Sequence, residues 1–463
     1  IINGMTRQQL KRRMVTYTDL LAERDRTEQF VKGKVEKNVT ARMQGYPQEA
    51  VDSTIAERIH EMSPLGFDEF IRSAKPTVNL MAREFEQRKA AYRYSRSSSA
   101  RSGSIDLQQL HSYKTSDDIF CRVTQMADAK SHGMVILLDN SASMTGLMPD
   151  VVSQILTLTM FCRRVNIPFE VYSFTNGTVR SQFVEPDETG PNDASIESKM
   201  PVETIRACEV KIVQVLSSTM NKRQYTQASK DLYANARRSP LRRCVYDGMS
   251  GTPLNTVLTS MHLLIKDFKQ KNSLDRVVFT TITDGDSNCV ETRQDMIRAS
   301  GRSQYSGYDG YRLVPAETKK SIRFYDLFDG VSLTQQLLEF IRSEIDGVTN
   351  LGYYLPESAS ELTEACRRVT YSMGNKVECI GDSIRDFKKE VKKNKFAAFD
   401  SVLGYDRYFI LNGTSSGSLR AQDDDFEVRD NASKADIRKA FKQYSSSKKA
   451  NRVLATKFAE VVS

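Results

Sequence analysis

The chain has 463 residues, 39% of them hydrophobic, with 67 Lys and Arg against 58 Asp and Glu and a formal charge of +9. That length can hold a sizeable core and two or three folded units, while no apolar run approaches the about 20 residues that cross a bilayer and no apolar signal core opens the chain, so a cytoplasmic protein without membrane contact is expected. Seven cysteines stand singly with no CxxC pair, and four histidines make no HExxH or His-x-His arrangement, which argues for a reducing compartment and against a zinc hydrolase.

The chain begins Ile1-Ile2-Asn3-Gly4, so a processed or trimmed start is expected. Residues 1–94 read as a charged helical arm or module. Helix formers fill 5–45 around the apolar set Leu20, Leu21, Phe30 and Val31 until Tyr46-Pro47 interrupts them. A second helix is expected from about Val51 to Met62, and Phe67, Phe70, Ile71, Val78, Met81 and Phe85 mark another helix or pair of helices. Residues 95–104 are serine-rich with no large apolar side chain, the composition of a linker. Residues 105–130 read as a lead-in helical segment, with a capped helix over 114–120.

From 131 to 375 the pattern alternates strand and helix, as an α/β fold requires: a mostly parallel sheet covered by helices on both faces. Strands are expected at 134–138, 169–174, 276–282 and 349–355. Val151, Ile155, Leu158, Cys162 and Val165 recur at helical spacing, as do Val257, Leu258, Met261, Leu264, Ile265 and Phe268. Insertions stand near 185–250 and 288–320; residues 178–184 read as a hairpin partner of the second strand, and Arg312–Pro315 pairs with 321–325 as a second hairpin. Residues 376–463 form a C-terminal extension with a strand at 405–411 and a charged helical tail from about 433.

Three strand or loop ends carry oxygen-bearing side chains. The apolar run Met134-Val135-Ile136-Leu137-Leu138 stops at Asp139, with Ser141 and Ser143 at alternate positions after it. Gly251-Thr252-Pro253-Leu254 opens the second strong helix, and Thr283-Asp284-Gly285 ends a later strand. Open α/β sheets place ligands at the carboxyl ends of strands. Carboxylates and neutral hydroxyls suit a hard divalent cation, Mg²⁺ first, with Mn²⁺ or Ca²⁺ as substitutes. The plainer alternative is that these residues cap helices and close turns without metal.

Taken together these motifs resemble a von Willebrand factor A domain with a metal-ion-dependent adhesion site. Within that superfamily the chain is similar to the CobT-like cobaltochelatase subunit family, especially relatives from tailed bacteriophages, a likeness also carried by Gly103-Ser104-Ile105-Asp106-Leu107 and Gly251-Thr252-Pro253-Leu254-Asn255. The domain resemblance covers about 130–375, and the looser one runs from about 75 towards the C-terminus. The resemblance implies a von Willebrand factor A or Rossmann-like fold in which Ser141 and Ser143 bind the metal through their hydroxyls. Asp139 would help directly or through water, and Thr252 and Asp284 would close the set from the second and third loops. It also implies an open position for an acidic side chain of a protein target, and a MoxR/CobS-like AAA+ ATPase as partner.

No GxxxxGK[ST] loop is present, so the chain is not expected to hydrolyse ATP alone, and metal with carboxylates does not by itself specify an independent catalytic site. The long acidic tract of some CobT proteins is absent, and no porphyrin site can be picked out. Metal-dependent binding as a non-catalytic adaptor, or as a non-ATPase subunit of a chelatase-like or remodelling complex, is therefore the leading expectation. Two alternatives stay open: a phage virion structural or assembly protein, and a nucleic-acid-binding protein resembling Ro proteins, which the positive charge permits without an RNA-recognition motif to support it.

Overall fold

The apolar run that ends at Asp139 forms a strand buried along all but its first residue. A strand covered on both faces needs neighbours on either side and helices above and below, and the chain supplies them. The computed structural model describes residues 2–63, 66–95, 98–105, 120–125, 131–176, 210–285, 287, 311–324, 330–356, 358–373, 380–394 and 396–411. The N-terminal part contains β1 (Ile2–Asn3), α1 (Arg7–Arg13), β2 (Met14–Val15), α2 (Tyr17–Arg42), α3 (Gln48–Met62), α4 (Phe67–Ser95), β3 (Ser98–Ile105) and β4 (Phe120–Gln125). There follow β5 (His132–Asp139), α5 (Met148–Arg164), β6 (Phe169–Thr175), β7 (Lys211–Ser217), α6 (Lys222–Ala236), α7 (Leu254–Lys271) and β8 (Arg276–Thr283). The remaining elements are β9 (Tyr311–Val314), β10 (Ile322–Phe324), α8 (Gly330–Glu344), β11 (Val348–Tyr354), α9 (Ala359–Ser372), α10 (Ile380–Asn394), β12 (Phe396–Val402) and β13 (Tyr405–Leu411).

The main sheet has eight strands in the order β12-β13-β11-β8-β5-β6-β7-β2. The five central strands, β13, β11, β8, β5 and β6, run parallel. Antiparallel β12 and β7 flank them, and β2 closes the far edge parallel to β7. From β5 the chain first moves to one side, to β6, and later returns on the other, to β8. That reversal opens a crevice at the carboxyl ends of β5 and β8, where the chain leaves in opposite directions.

Alternation along β5 divides the core. Val135 and Leu137 join one apolar cluster with Val257, Met261 and Ile265 of α7 and Leu333, Leu337 and Ile341 of α8. Met134, Ile136 and Leu138 face the other way, into a cluster with Val151, Ile155 and Phe161 of α5, Val78, Met81 and Phe85 of α4, and Leu232 of α6. Period-two alternation in the strand thus meets helical stripes on both sides. The fold is mixed α/β, with a largely parallel central sheet flanked by helices.

Local chemistry sets several helix starts. Thr6 and Gln9 form a reciprocal capping box at α1, and Asn221 and Gln224 form another at α6. Ser358 caps α9 by accepting from the Glu361 backbone at 3.1 Å. A small second sheet joins β9 antiparallel to β10 and parallel to β1, so the expected 312–325 hairpin forms and also receives the N-terminus.

Four expectations differ from what is seen. The stretch 95–104 is not simply a linker, because β3 pairs antiparallel with β4; a ladder is made by backbone groups and does not need a large apolar side chain at each position. Phe120 begins a strand, and the capped helix expected over 114–120 otherwise lies outside the described residues, as do the 178–184 hairpin partner and the tail from 433. The antiparallel place beside β6 is taken by β7 from within the 185–250 insertion. The sheet also does not stop at residue 375: β13 pairs with β11 from Leu351↔Arg407 to Tyr354↔Ile410, and β12 follows it outward.

Candidate functional site

Three loops meet above the β5 and β8 crevice. The first leaves β5 at Asp139 and turns through a short 3₁₀ segment, Ser143–Gly146, into α5. The second, 248–252, precedes α7 and is tied to the first by a backbone bond from Ala142 N to Ser250 O at 2.8 Å. The amide of Asn140 donates to Gly248 O at 3.3 Å, as does the Thr175 hydroxyl at 2.8 Å. Asn176, just beyond β6, accepts from Gly251 N at 2.8 Å. The third loop follows β8 through Asp284 and Gly285.

Side chains from the first and third loops then engage one another. Asp139 is fully buried; its Oδ1 accepts from Ser141 N at 2.9 Å and its Oδ2 from the Thr283 hydroxyl at 2.8 Å. Ser143 donates to Asp284 Oδ1 at 3.0 Å, Ser141 lies 3.5 Å from that same oxygen, and the two serine oxygens are 3.1 Å apart. Ser141, Asp284 and Thr252 are buried, whereas Ser143 is exposed at the mouth. Asp139, Ser141, Ser143 and Asp284 therefore form one cluster, while Thr252 sits two residues beyond the bonded Ser250.

Two buried carboxylates so close together are hard to ionise. Burial pushes the Asp139 carboxyl up to about 7; the Thr283 hydroxyl bond opposes this and the neighbouring Asp284 charge adds to it. Asp284 is also raised, mainly by burial, against the stabilising bond from Ser143 and with the charge of Glu361 adding to the effect. Asp284 Oδ2 is buried without a hydrogen-bond partner, an arrangement that costs free energy unless another group meets it.

The donor set fits a hard cation. Around Mg²⁺, oxygens at about 2.0–2.1 Å in octahedral geometry lie about 3 Å apart when adjacent, close to the 3.0 and 3.1 Å edges of the Ser141, Ser143 and Asp284 oxygen triangle. Among the described residues no group of three or more His, Cys, Asp or Glu side chains gathers for metal binding; this cluster has two carboxylates and relies on hydroxyls for the rest. The sequence alone does not mark Thr283, Asn176 or Glu361 as site residues. Thr283 directly precedes a strand-end aspartate, a local signal, whereas the parts of Asn176 and Glu361 depend on neighbours only the fold supplies.

No family model matches the chain, and no curated protein matches it. Among solved structures, proximal thread matrix protein 1 from the mussel byssus aligns at 13% identity with a TM-score of 0.23, over 51% of this chain and 41% of that one. The chain thus spans less than half the length of that protein.

Proposed function

We propose that Asp139, Ser141, Ser143, Thr252 and Asp284 hold a divalent cation, Mg²⁺ in the first place, and that the chain is a metal-dependent protein-binding adaptor of the von Willebrand factor A class, similar to CobT-like subunits. The observation that carries this reading is the oxygen triangle of Ser141, Ser143 and Asp284, with edges of 3.1, 3.0 and 3.5 Å beside a buried, unpartnered Asp284 Oδ2. The cation would neutralise two carboxylates that burial otherwise keeps from ionising. With Ser143 at the mouth, a carboxylate from a protein target completes the coordination, and the cation serves as a recognition bridge.

The adaptor acts in the cytoplasm with a MoxR/CobS-like AAA+ ATPase and performs no chemistry alone. No helix among the described residues is long and apolar enough to cross a membrane. Isothermal titration of the purified chain with MgCl₂ tests the site, and affinity purification from the native cell in Mg²⁺ or EDTA tests the partner. The expected results are a saturating Mg²⁺ isotherm lost in Asp139→Ala and Ser141→Ala, and an ATPase recovered only by the wild-type chain in Mg²⁺. Absence of Mg²⁺ binding sinks the metal site, and equal ATPase recovery by Asp139→Ala sinks the bridge.

A further inference from the structure

A second cleft opens between α2, α6 and the carboxyl ends of β5 and β6, with about 30 Å³ of room for solvent; Arg24, Asn140, Asn235, Arg238, Arg243 and Asp247 are among the residues lining it. Its deepest charge is Arg24, 1% exposed. Arg24 Nη2 donates to Asp247 Oδ1 at 2.8 Å, but Nη1 comes only within 3.9 Å of Asp231, and neither Nη1 nor Nε makes a hydrogen bond. Asp231 is already committed to Arg242, whose Nε and Nη2 reach it at 2.6 and 3.0 Å. Asn235 Nδ2 is buried as well and is directed at Asp247, whose carboxyl it helps to hold down.

The two unmet nitrogens of Arg24 are donors, as is the Asn235 amide beside them. Water could accept from them but would bring its own hydrogens in need of acceptors, whereas an oxyanion offers acceptors alone and a matching charge. The lining holds three arginines against the single carboxylate of Asp247, and Arg238 reaches over the rim to donate to the Thr145 hydroxyl at 3.0 Å. The room suffices for a terminal group, with the rest of a ligand left outside the mouth. We propose that this cleft binds a terminal oxyanion group, carboxylate or phosphoryl, through Arg24, Asn235, Arg238 and Arg243. The cleft adjoins the cation cluster through Asn140 and Thr145 of the first loop, but it uses none of the five oxygen-bearing residues of that cluster and does not require the cation.

Thermal unfolding and isothermal titration in EDTA, with inorganic phosphate, acetate and chloride at matched ionic strength, test this without involving the cation. Phosphate, acetate or both should saturate and raise the unfolding temperature beyond chloride, and which one does so identifies the group. In the double variant Arg238→Gln, Arg243→Gln, which leaves the Arg24 ion pair intact, affinity should fall about tenfold or more, the scale of losing charge-assisted bonds. Arg238→Gln alone, at an exposed position, should fall in the same direction and serves if the double variant does not fold. Shifts no larger than chloride gives, or variants that bind as tightly as wild type, overturn the proposal.

Discussion

Ser143 and Asp284 are 141 positions apart in the chain, and their side-chain oxygens lie 3.0 Å apart. That bond crosses the crevice between β5 and β8 and places a carboxylate with one unmet buried oxygen beside two serine hydroxyls. Asp284→Asn should therefore have two effects of opposite sign. Without metal it removes a carboxyl that burial makes hard to ionise and should raise the stability of the chain. With Mg²⁺ it should weaken the cation-induced rise in unfolding temperature by at least about tenfold in apparent affinity. Melting curves with and without Mg²⁺ read both, and an unchanged Mg²⁺ response in Asp284→Asn contradicts the assignment.

Glu170 of β6 gives a pH test away from the crevice. Its side chain is 5% exposed and accepts from Gln214 at 2.6 Å and Ser217 at 2.9 Å, yet burial pushes its carboxyl from an ordinary 4.5 up to about 7. An acid with a raised folded-state pKa keeps its proton in the fold after the unfolded chain has lost its own. Its contribution is thus intact below pH 4.5 and is lost as pH rises towards 7. Glu170→Gln should match wild type near pH 4.5 and exceed it above pH 7, by about 3 kcal/mol at most. Urea denaturation of both chains across that range checks the difference, and a constant offset would rule out Glu170 as its source.

Arg24 should be costly to remove. Its guanidinium is buried against Asp247, whose carboxyl it holds below the usual range despite burial. Arg24→Met leaves Asp247 buried without its counter-charge, which should cost about 3–5 kcal/mol. Adding Asp247→Asn should recover part of that loss. If the double variant is no more stable than Arg24→Met in denaturant titrations, the two residues are not energetically coupled.

Phe161 of α5 and Phe85 of α4 meet edge to face with ring centroids 5.7 Å apart. Phe161 is fully buried, so Phe161→Ala should cost about 3–5 kcal/mol. A double-mutant cycle with Phe85→Ala should show a coupling of about 0.5–1.5 kcal/mol. Strict additivity would mean that α4 is not seated on the sheet layer in solution.

Much of the sheet is legible in the sequence because β5 carries a continuous apolar run and β8 and β13 carry shorter ones, at 277–279 and 408–411, as strands covered on both faces do. The N-terminal helices are harder to place. α2 buries Glu23, Arg24 and Thr27 alongside Leu20 and Val31, so part of its packed face is ionic and the apolar stripe is broken. The partners that make this tolerable, Asp231 and Asp247, lie in an insertion far along the chain. At the crevice, the spacing of Asp139, Ser141 and Ser143 marks one loop, and Asp284 stands out because it follows an apolar strand. The bond from Thr283 to Asp139 has no local signature, since it depends on β5 and β8 being neighbours.

The two residues of β2 also govern what the outermost strand can do. By pairing Met14 with Ile212 and Val15 with Val213, they occupy backbone groups that β7, an apolar seven-residue strand, would otherwise present at the sheet's rim. An uncapped rim of that kind is a template for pairing with another chain. Keeping residues 14 and 15 attached is thus a matter of solubility: a version of the protein lacking them should self-associate edge to edge, visible as a concentration-dependent increase in light scattering.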